Sequence, residues 1–438
     1  MNRIALRGDL LDFSTDPGFG PPDAVPGVRW RPDHWLLVDE HGRIAGVLDA
    51  SVSEPDASYR RIDQRGRLIL PGFIDTHVHS PQLDVIASYG TELLDWLETY
   101  TFPAERRHAD PQVARAGAER FCDALLAHGT TAAVVFPTVH KQSCEALFTS
   151  ANARGMRLIA GKCLMDRHVP EWLADTVESA ERDSLELIER WHGKDRLAYA
   201  MTVRFAPTSS EAQMDMAGRL LCEVPGLYMQ THVAENRAEV AWVRELFPQA
   251  RSYLDVYHRH GLLNERAVLA HGIWLDDEDR ALLAASGAQI AHSPTSNLFL
   301  GSGLIGWQAL EAAGAKVTMA TDVGGGTSLS MLRTLAEAYK VQALQGVRLS
   351  AWKALHSATA GAADALGLGH EIGRLEPGLM ADLCVWDWAR AEIDANRLAL
   401  ARGLHEKLFA WMTLADERHL AAAYVAGTAR FERTTIAP

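Results

Sequence analysis

Cysteine is scarce and scattered in this chain. Cys122, Cys144, Cys163, Cys222 and Cys384 are the only five, and no two stand in a Cys-x-x-Cys pair. An odd, dispersed set of thiols excludes a disulfide framework and a thiolate zinc finger, and fits reduced thiols in a cytosolic protein. Basic clusters are missing as well. Lys and Arg number 43 against 56 Asp and Glu, a formal net charge of -13, so neither nucleic acid nor an anionic membrane is an expected partner, because phosphate contacts need clustered cations. No window approaches the roughly 18 consecutive apolar residues of a membrane span, and residues 1–9 lack the apolar core of a signal peptide. A cytoplasmic location is expected. There is no internal repeat and no low-complexity linker.

What is present is an ordinary globular composition, 47% hydrophobic and 23% charged over 438 residues, enough for two or three domains or one large α/β barrel with an appendage. Residues 1–70 are rich in Gly, Pro and Asp. Their short apolar runs Trp35-Leu36-Leu37-Val38 and Ile44-Ala45-Gly46-Val47 flank Asp39-Glu40-His41-Gly42, which reads as a hairpin turn in a small β unit. From about 71 to 375 the texture changes. Apolar runs at 131–136, 157–161, 227–230, 267–270, 288–291 and 316–320 alternate with helical stretches such as 111–127, 175–192, 211–222 and 236–246, the pattern of a parallel (β/α)8 barrel. After about 376 strand signals return at 381–386 and 421–427, around a helical stretch near 394–412. The simplest arrangement pairs residues 376–438 with 1–70 in a β-sandwich into which the barrel is inserted. Periodicity alone does not show that pairing.

The chemistry begins at Leu68-Ile69-Leu70-Pro71-Gly72-Phe73-Ile74-Asp75-Thr76-His77-Val78-His79. Residues two apart on a strand share a face, so both imidazoles would leave its C-terminal end together. That is half of a metal site, since a catalytic ion takes about three or four protein ligands and keeps a position open. Other strand ends supply the rest. Tyr228-Met229-Gln230-Thr231-His232 ends in a third histidine with Glu235 three residues on, and Val268-Leu269-Ala270-His271 ends in a fourth. Val317-Thr318-Met319-Ala320-Thr321-Asp322 ends in a carboxylate before Gly324-Gly325-Gly326, where a backbone without side chains can approach a ligand closely. In an α/β barrel such C-terminal strand ends build the active site. A second His-x-His, His258 and His260, reads as a helix end, where residues two apart diverge by about 200°. Lys162, at another strand end, could in principle be carboxylated to bridge two ions. A mononuclear site is the preferred reading, because Glu235 already supplies the acid/base partner that a one-metal site requires.

Pro-Gly-Phe-Ile-Asp-Thr-His-Val-His (71–79), Thr-His-Val-Ala-Glu-Asn (231–236), Leu-Ala-His-Gly (269–272) and Thr-Asp (321–322) together resemble the amidohydrolase superfamily, and 373–383 looks like its return from barrel to sandwich. Within it, His-Ser-Pro-Gln (79–82), the stretch 93–103, Val-Arg-Phe-Ala-Pro (203–207) and 292–303 resemble the guanine deaminase family. Ser293 departs from the cysteine that many relatives carry, while His292 and Asn297 remain. The resemblance covers nearly the whole chain. It implies a distorted (β/α)8 barrel with a β-sandwich, and a hydrolase converting guanine to xanthine and ammonia.

The same resemblance assigns residues. His77, His79, His232 and Asp322 would hold one Zn²⁺ per chain, and Glu235, His271 and Asp322 would be catalytic, with His271 hydrogen-bonding the attacking water or the developing tetrahedral centre. Gln82, Arg204 and Phe205 would face the purine, alongside His271 and Asp322. A homodimer is implied too. Two other readings stand beside this one: a sibling hydrolase acting on cytosine, an adenosine-like compound or a triazine, and a non-enzymatic scaffold of the same fold. The unrelated zinc-deaminase architecture, which needs His-x-Glu with Pro-Cys-x-x-Cys, has neither half here.

Overall fold

The structure, a computed structural model, describes residues 3–22, 25–89 and 93–434. The first two and last four residues, which the reading above places in the terminal segments, lie outside the described residues. Strands β1 (Ile4–Phe13), β2 (Val28–Val38), β3 (Ile44–Asp49) and β4 (Arg60–Pro71) come first. The 39–42 turn joins β2 to β3 as an antiparallel pair, as its Asp and Gly residues suggest. The barrel follows with β5 (Phe73–His79), β6 (Thr130–Phe136), β7 (Arg157–Ala160), β8 (Cys163–Leu164), β9 (Leu197–Val203), β10 (Tyr228–Val233), β11 (Ala267–His271), β12 (Gln289–His292) and β13 (Lys316–Met319). The chain ends with β14 (Leu383–Trp386), β15 (Leu420–Val425) and β16 (Thr428–Glu432).

The barrel strands lie in the order β13-β12-β11-β10-β9-β7-β6-β5, all parallel, with β8 continuing the line of β7 alongside β9. Gly161, between β7 and β8, has a physical reason to be glycine, since a Cβ there would sit 1.8 Å from the Ala200 carbonyl oxygen. The sheet nearly closes, and hydrogen bonds between β5 and the segment after β13 seal the gap. Asp322 N–H donates to His77 O at 3.0 Å, and His79 N–H donates to Val323 O at 2.8 Å. Asp75, fully buried, accepts from Thr321 N–H at 3.1 Å and from Thr321 Oγ1 at 2.5 Å. Burial pushes the Asp75 carboxyl up to about 6, against the hydrogen bonds from Thr321.

Inside the barrel the floor is apolar and small: Ile74, Ala132, Ala198, Ala200, Val268, Ala291 and Ala320 pack against Leu366 and Leu368. That packing explains why β9 is absent from the apolar runs of the sequence. Its inward positions are alanines, which fill a crowded interior but give a weak hydrophobic signal. Above the floor lies a polar layer in which Gln230 donates to Thr202 and Thr76 bonds Thr318. The outer faces of the strands carry the larger residues, such as Leu158, Tyr199, Met201 and Leu269, against the surrounding helices. Those helices start where capping residues allow. Asp110 caps Pro111–Ala127, and Thr176 and Asn236 open Val177–Trp191 and Arg237–Leu246 with capping boxes.

The N- and C-terminal strands form one seven-stranded mixed sheet in the order β16-β15-β14-β4-β1-β2-β3. Its join is the antiparallel pairing of β4 with β14, from Leu383 opposite Pro71 to Trp386 opposite Leu68. Where the sequence suggests one helical stretch near 394–412, there are two helices, Glu392–Ala399 and Leu404–Leu414. The break falls at Leu400–Gly403, where Gly403 is extended and glycine weakens helix continuation.

Candidate active site

The four donors sit together at the C-terminal mouth of the barrel. His77 and His79 end β5, His232 is in β10, and Asp322 lies three residues past β13. One donor atom from each lies within 4.8 Å of all the others. His79 Nε2 is 3.2 Å from both His77 Nε2 and His232 Nε2, and Asp322 Oδ1 is 3.0 Å from His77 Nε2 and 3.3 Å from His79 Nε2. A tetrahedral ion with bonds of about 2.0–2.2 Å holds its ligands about 3.3–3.5 Å apart. The observed spacing is that of donors converging on one point.

A bulge makes the convergence possible. Ile74 and Thr76 face the barrel interior, so strict alternation would turn His77 and His79 outward. In the pairing with β6, Asp75 is opposite Ala133 but Val78 is opposite Val135, so β5 carries one extra residue there. The extra residue flips the parity and brings both imidazoles inside.

Protonation suits a cation. Burial first, then the charge of His77, hold His232 well below the ordinary histidine value, and burial brings His79 down to about 3 against the pull of Asp322. Burial works to raise Asp322, but His77, His79 and His271 overcome it and keep the carboxyl well below its usual range. His232 Nδ1 donates to the Arg204 carbonyl at 2.6 Å, which leaves the Nε2 lone pair directed at the shared point. The neutral His79 and His232 imidazoles and the ionised Asp322 carboxylate, at this spacing beside His77, fit a divalent metal ion.

Glu235 and His271 stand beside the donors. The buried Glu235 accepts from Ser302 Oγ at 2.8 Å, and its other oxygen is 3.3 Å from His271 Nε2. Burial, reinforced by Asp322, pushes Glu235 up to about 8. His271 Nδ1 bonds Asn297 Oδ1 at 2.8 Å, so the ring presents Nε2 to Glu235 and, at 3.7 Å, to Asp322 Oδ2. Three non-glycine residues here take positive φ: Ala234 at 47°, His271 at 73° and Asp322 at 50°. Such conformations persist only where the surroundings over-determine them. Around Ala234 they do, because its carbonyl accepts from Ile273 and Trp274, and Glu239 accepts the backbone N–H groups of Glu235 and Asn236.

A cavity opens onto the cluster, bounded by Gln82, Arg204, Phe205 and, from outside the barrel, Leu93, Trp96 and Leu97. All the sequence-derived site residues thus meet in one place. Lys162 does not join them: its Nζ is 2.5 Å from Asp175 Oδ2, an ion pair that occupies the amine a bridging carbamate would need. His258 and His260 stand at the end of the helix Tyr253–Arg259, where His260 bonds Asp215. Ser293 is buried and bonds the Ala291 carbonyl, and His292 packs edge-on against Trp307. Three contributors were not found from sequence. Ser302, which lies within the 292–303 stretch but was given no role there, and Glu239, which gave no signal beyond being polar, hold Glu235; Glu105, which touches both Arg204 and Gln82, sits just past the 93–103 stretch.

The amidohydrolase family model matches residues 68–430. A guanine deaminase of Escherichia coli (strain K12) is 44% identical over 431 residues, covering 98% of each chain. The structure of the E. coli guanine deaminase superposes with a TM-score of 0.94 over 98% of this chain and 100% of that one. A guanine deaminase from C. acetobutylicum, solved with guanine bound in its active site, is 28% identical with a TM-score of 0.88, covering 98% of this chain and 100% of that one. The chain belongs to the amidohydrolase family and groups with the guanine deaminases within it.

Proposed function

We propose that this chain is a guanine deaminase, hydrolysing guanine to xanthine and ammonia. The observation that carries the reading is one cavity in which Arg204 and Gln82, groups suited to a carbonyl and a ring-nitrogen edge, stand beside a three-histidine, one-aspartate donor set and Glu235. The 44% identity to a guanine deaminase over nearly the whole chain supports it.

His77, His79, His232 and Asp322 would hold one divalent ion, for which Zn²⁺ is our choice because imidazole and carboxylate donors at tetrahedral spacing suit it. Bound there, the ion supplies a Lewis acid that lowers the pKa of a water from about 15.7 toward 7. The remaining work falls to the chain. Arg204 and Gln82 bind the carbonyl edge of the purine, Phe205 packs on it, and C2 is turned toward the donor cluster. Asp322 and His271 Nε2 orient the water for attack on C2. Glu235 takes the water's proton and delivers it to N3, the ring nitrogen beside C2. Carbon C2 then carries both oxygen and the amine. Glu235 or Asp322 then takes the remaining hydroxyl proton from that C2 oxygen and passes it to the amine, which leaves as ammonia while the C2 oxygen becomes the second carbonyl of xanthine.

We also propose a cytoplasmic homodimer; no helix among the described residues is long and apolar enough to cross a membrane. The test of function compares ammonia release from guanine, cytosine, adenine and a triazine, with metal content measured on the same preparation. A site built to hydrogen-bond the guanine carbonyl should reject analogues lacking it by about 10⁴-fold. Faster turnover of adenine or cytosine than of guanine overturns the reading.

A further inference from the structure

Among the residues that the mechanism leaves unused, Glu105 is fully buried beside the cavity. It lies on the short helix Phe102–Arg106, outside the barrel, and its side chain is 0% exposed. Both carboxylate oxygens are 2.8 Å from Arg204 Nη1, and Oε1 also accepts from Gln82 Nε2 at 3.2 Å. The Gln82 amide is thereby fixed at both ends, because its oxygen accepts from Gly324 N–H at 3.1 Å. The guanidinium is held from a second side by Phe102, whose ring centroid is 5.4 Å from the Arg204 Cζ. Phe102 and Glu105 are three apart on one helix and so share a face. Together they clamp the arginine. The turn before them, Leu97–Thr101, is π-helical, a rare form frequent at functional sites.

A buried ion pair is weak evidence of a stabilising role, because an apolar pair of the same volume often serves as well or better. This pair lines a cavity instead. Its carboxylate has two effects on whatever enters: it sets the direction of the two side chains that meet the ligand, and it cancels the charge of Arg204. We propose that Glu105 is the positioning residue for recognition, holding Arg204 and Gln82 toward the purine's carbonyl edge and neutralising the wall so that an uncharged purine is taken in preference to an anionic one. The inference rests on the reading that Arg204 and Gln82 face the purine.

The test uses the holoenzyme with guanine as substrate and urate, a purine monoanion carrying the same carbonyl, as inhibitor. Glu105→Gln keeps the shape and removes the charge. Losing a hydrogen bond to a charged group should raise KM for guanine by about tenfold or more, with kcat within about threefold and metal content unchanged. The urate inhibition constant should fall, so the ratio of guanine KM to urate Ki rises at least tenfold. A merely structural role weakens both ligands together, and an unchanged ratio overturns the proposal. If Glu105→Gln does not fold, Glu105→Asp keeps the charge and withdraws it by one methylene; raised guanine KM without tighter urate binding is expected, and an unchanged KM overturns the proposal. Arg204→Met separates the two levels. If it leaves guanine KM unchanged, the underlying reading fails; if it raises KM while Glu105→Gln does not, only the role of Glu105 fails.

Discussion

Replacing Glu235 by Gln isolates proton transfer from everything else at the site. The amide is isosteric with the carboxyl, its oxygen can still accept from Ser302 Oγ, and its NH₂ can face His271 Nε2, which is 3.3 Å from the carboxylate in the native site. Glu235 is not among the four converging donors, so metal content should stay at the native level. What is removed is the ability to carry the water's first proton to N3 and the second, from the C2 hydroxyl, to the amine. General acid-base assistance contributes about 10²- to 10⁴-fold, or about 2.7–5.4 kcal/mol of barrier, so kcat should drop by that factor while guanine KM changes little. A Ser302→Ala companion completes a cycle. Losing the hydrogen bond to Oε1 should lower kcat by about tenfold in the native background, yet have almost no effect once residue 235 is Gln, because the serine acts through the carboxyl. Steady-state ammonia release and metal analysis on the four proteins decide the matter. A Glu235→Gln protein with kcat within threefold of native, or a serine effect of equal size in both backgrounds, refutes the assignment.

His232→Ala removes one of the donors and should weaken metal binding by well over the roughly 10- to 100-fold that loss of an outer partner costs; native metal content in that variant would rule out its role as a ligand. A pH effect should appear away from the site. Burial brings His356 from 6.5 down to about 4 in the fold, with Asp16 opposing. The folded chain therefore resists a proton that the unfolded chain accepts near 6.5. The corresponding stability is fully present above about pH 6.5 and is lost as pH falls toward 4, at most about 3 kcal/mol. Urea denaturation of native and His356→Gln proteins from pH 7.5 to 4 should show the two stabilities converging as pH drops, and a difference that stays flat would contradict it.

The candidate site residues were legible in the sequence because each lies at, or just past, the end of a strand that its own apolar run announces. His232 follows residues 228–231, His271 follows 267–270, and the glycines after Asp322 mark a place of close approach. Helix limits were legible for the same local reason: Asp110 and Pro111 open a helix that ends at Ala127, where the sequence places it. These signals act over one turn or one strand, and one sequence contains them whole.

The tertiary structure decided what depends on closure. Simple alternation was the right motive for expecting His77 and His79 on one face, but it could not say which face. The bulge opposite Val134 sets that, and a bulge forms only when β5 must register against β6. The pairing of β4 with β14 joins Pro71 to Leu383 across the whole barrel, and Glu105 reaches Arg204 across 99 residues of chain. No local pattern encodes such meetings. They follow from a barrel that must close on itself, which fixes where distant segments end and so which buried charges find a partner. The sequence by itself determined the donors and the chemistry open to them; the closed barrel decided that they point at one another and what holds the groups around them.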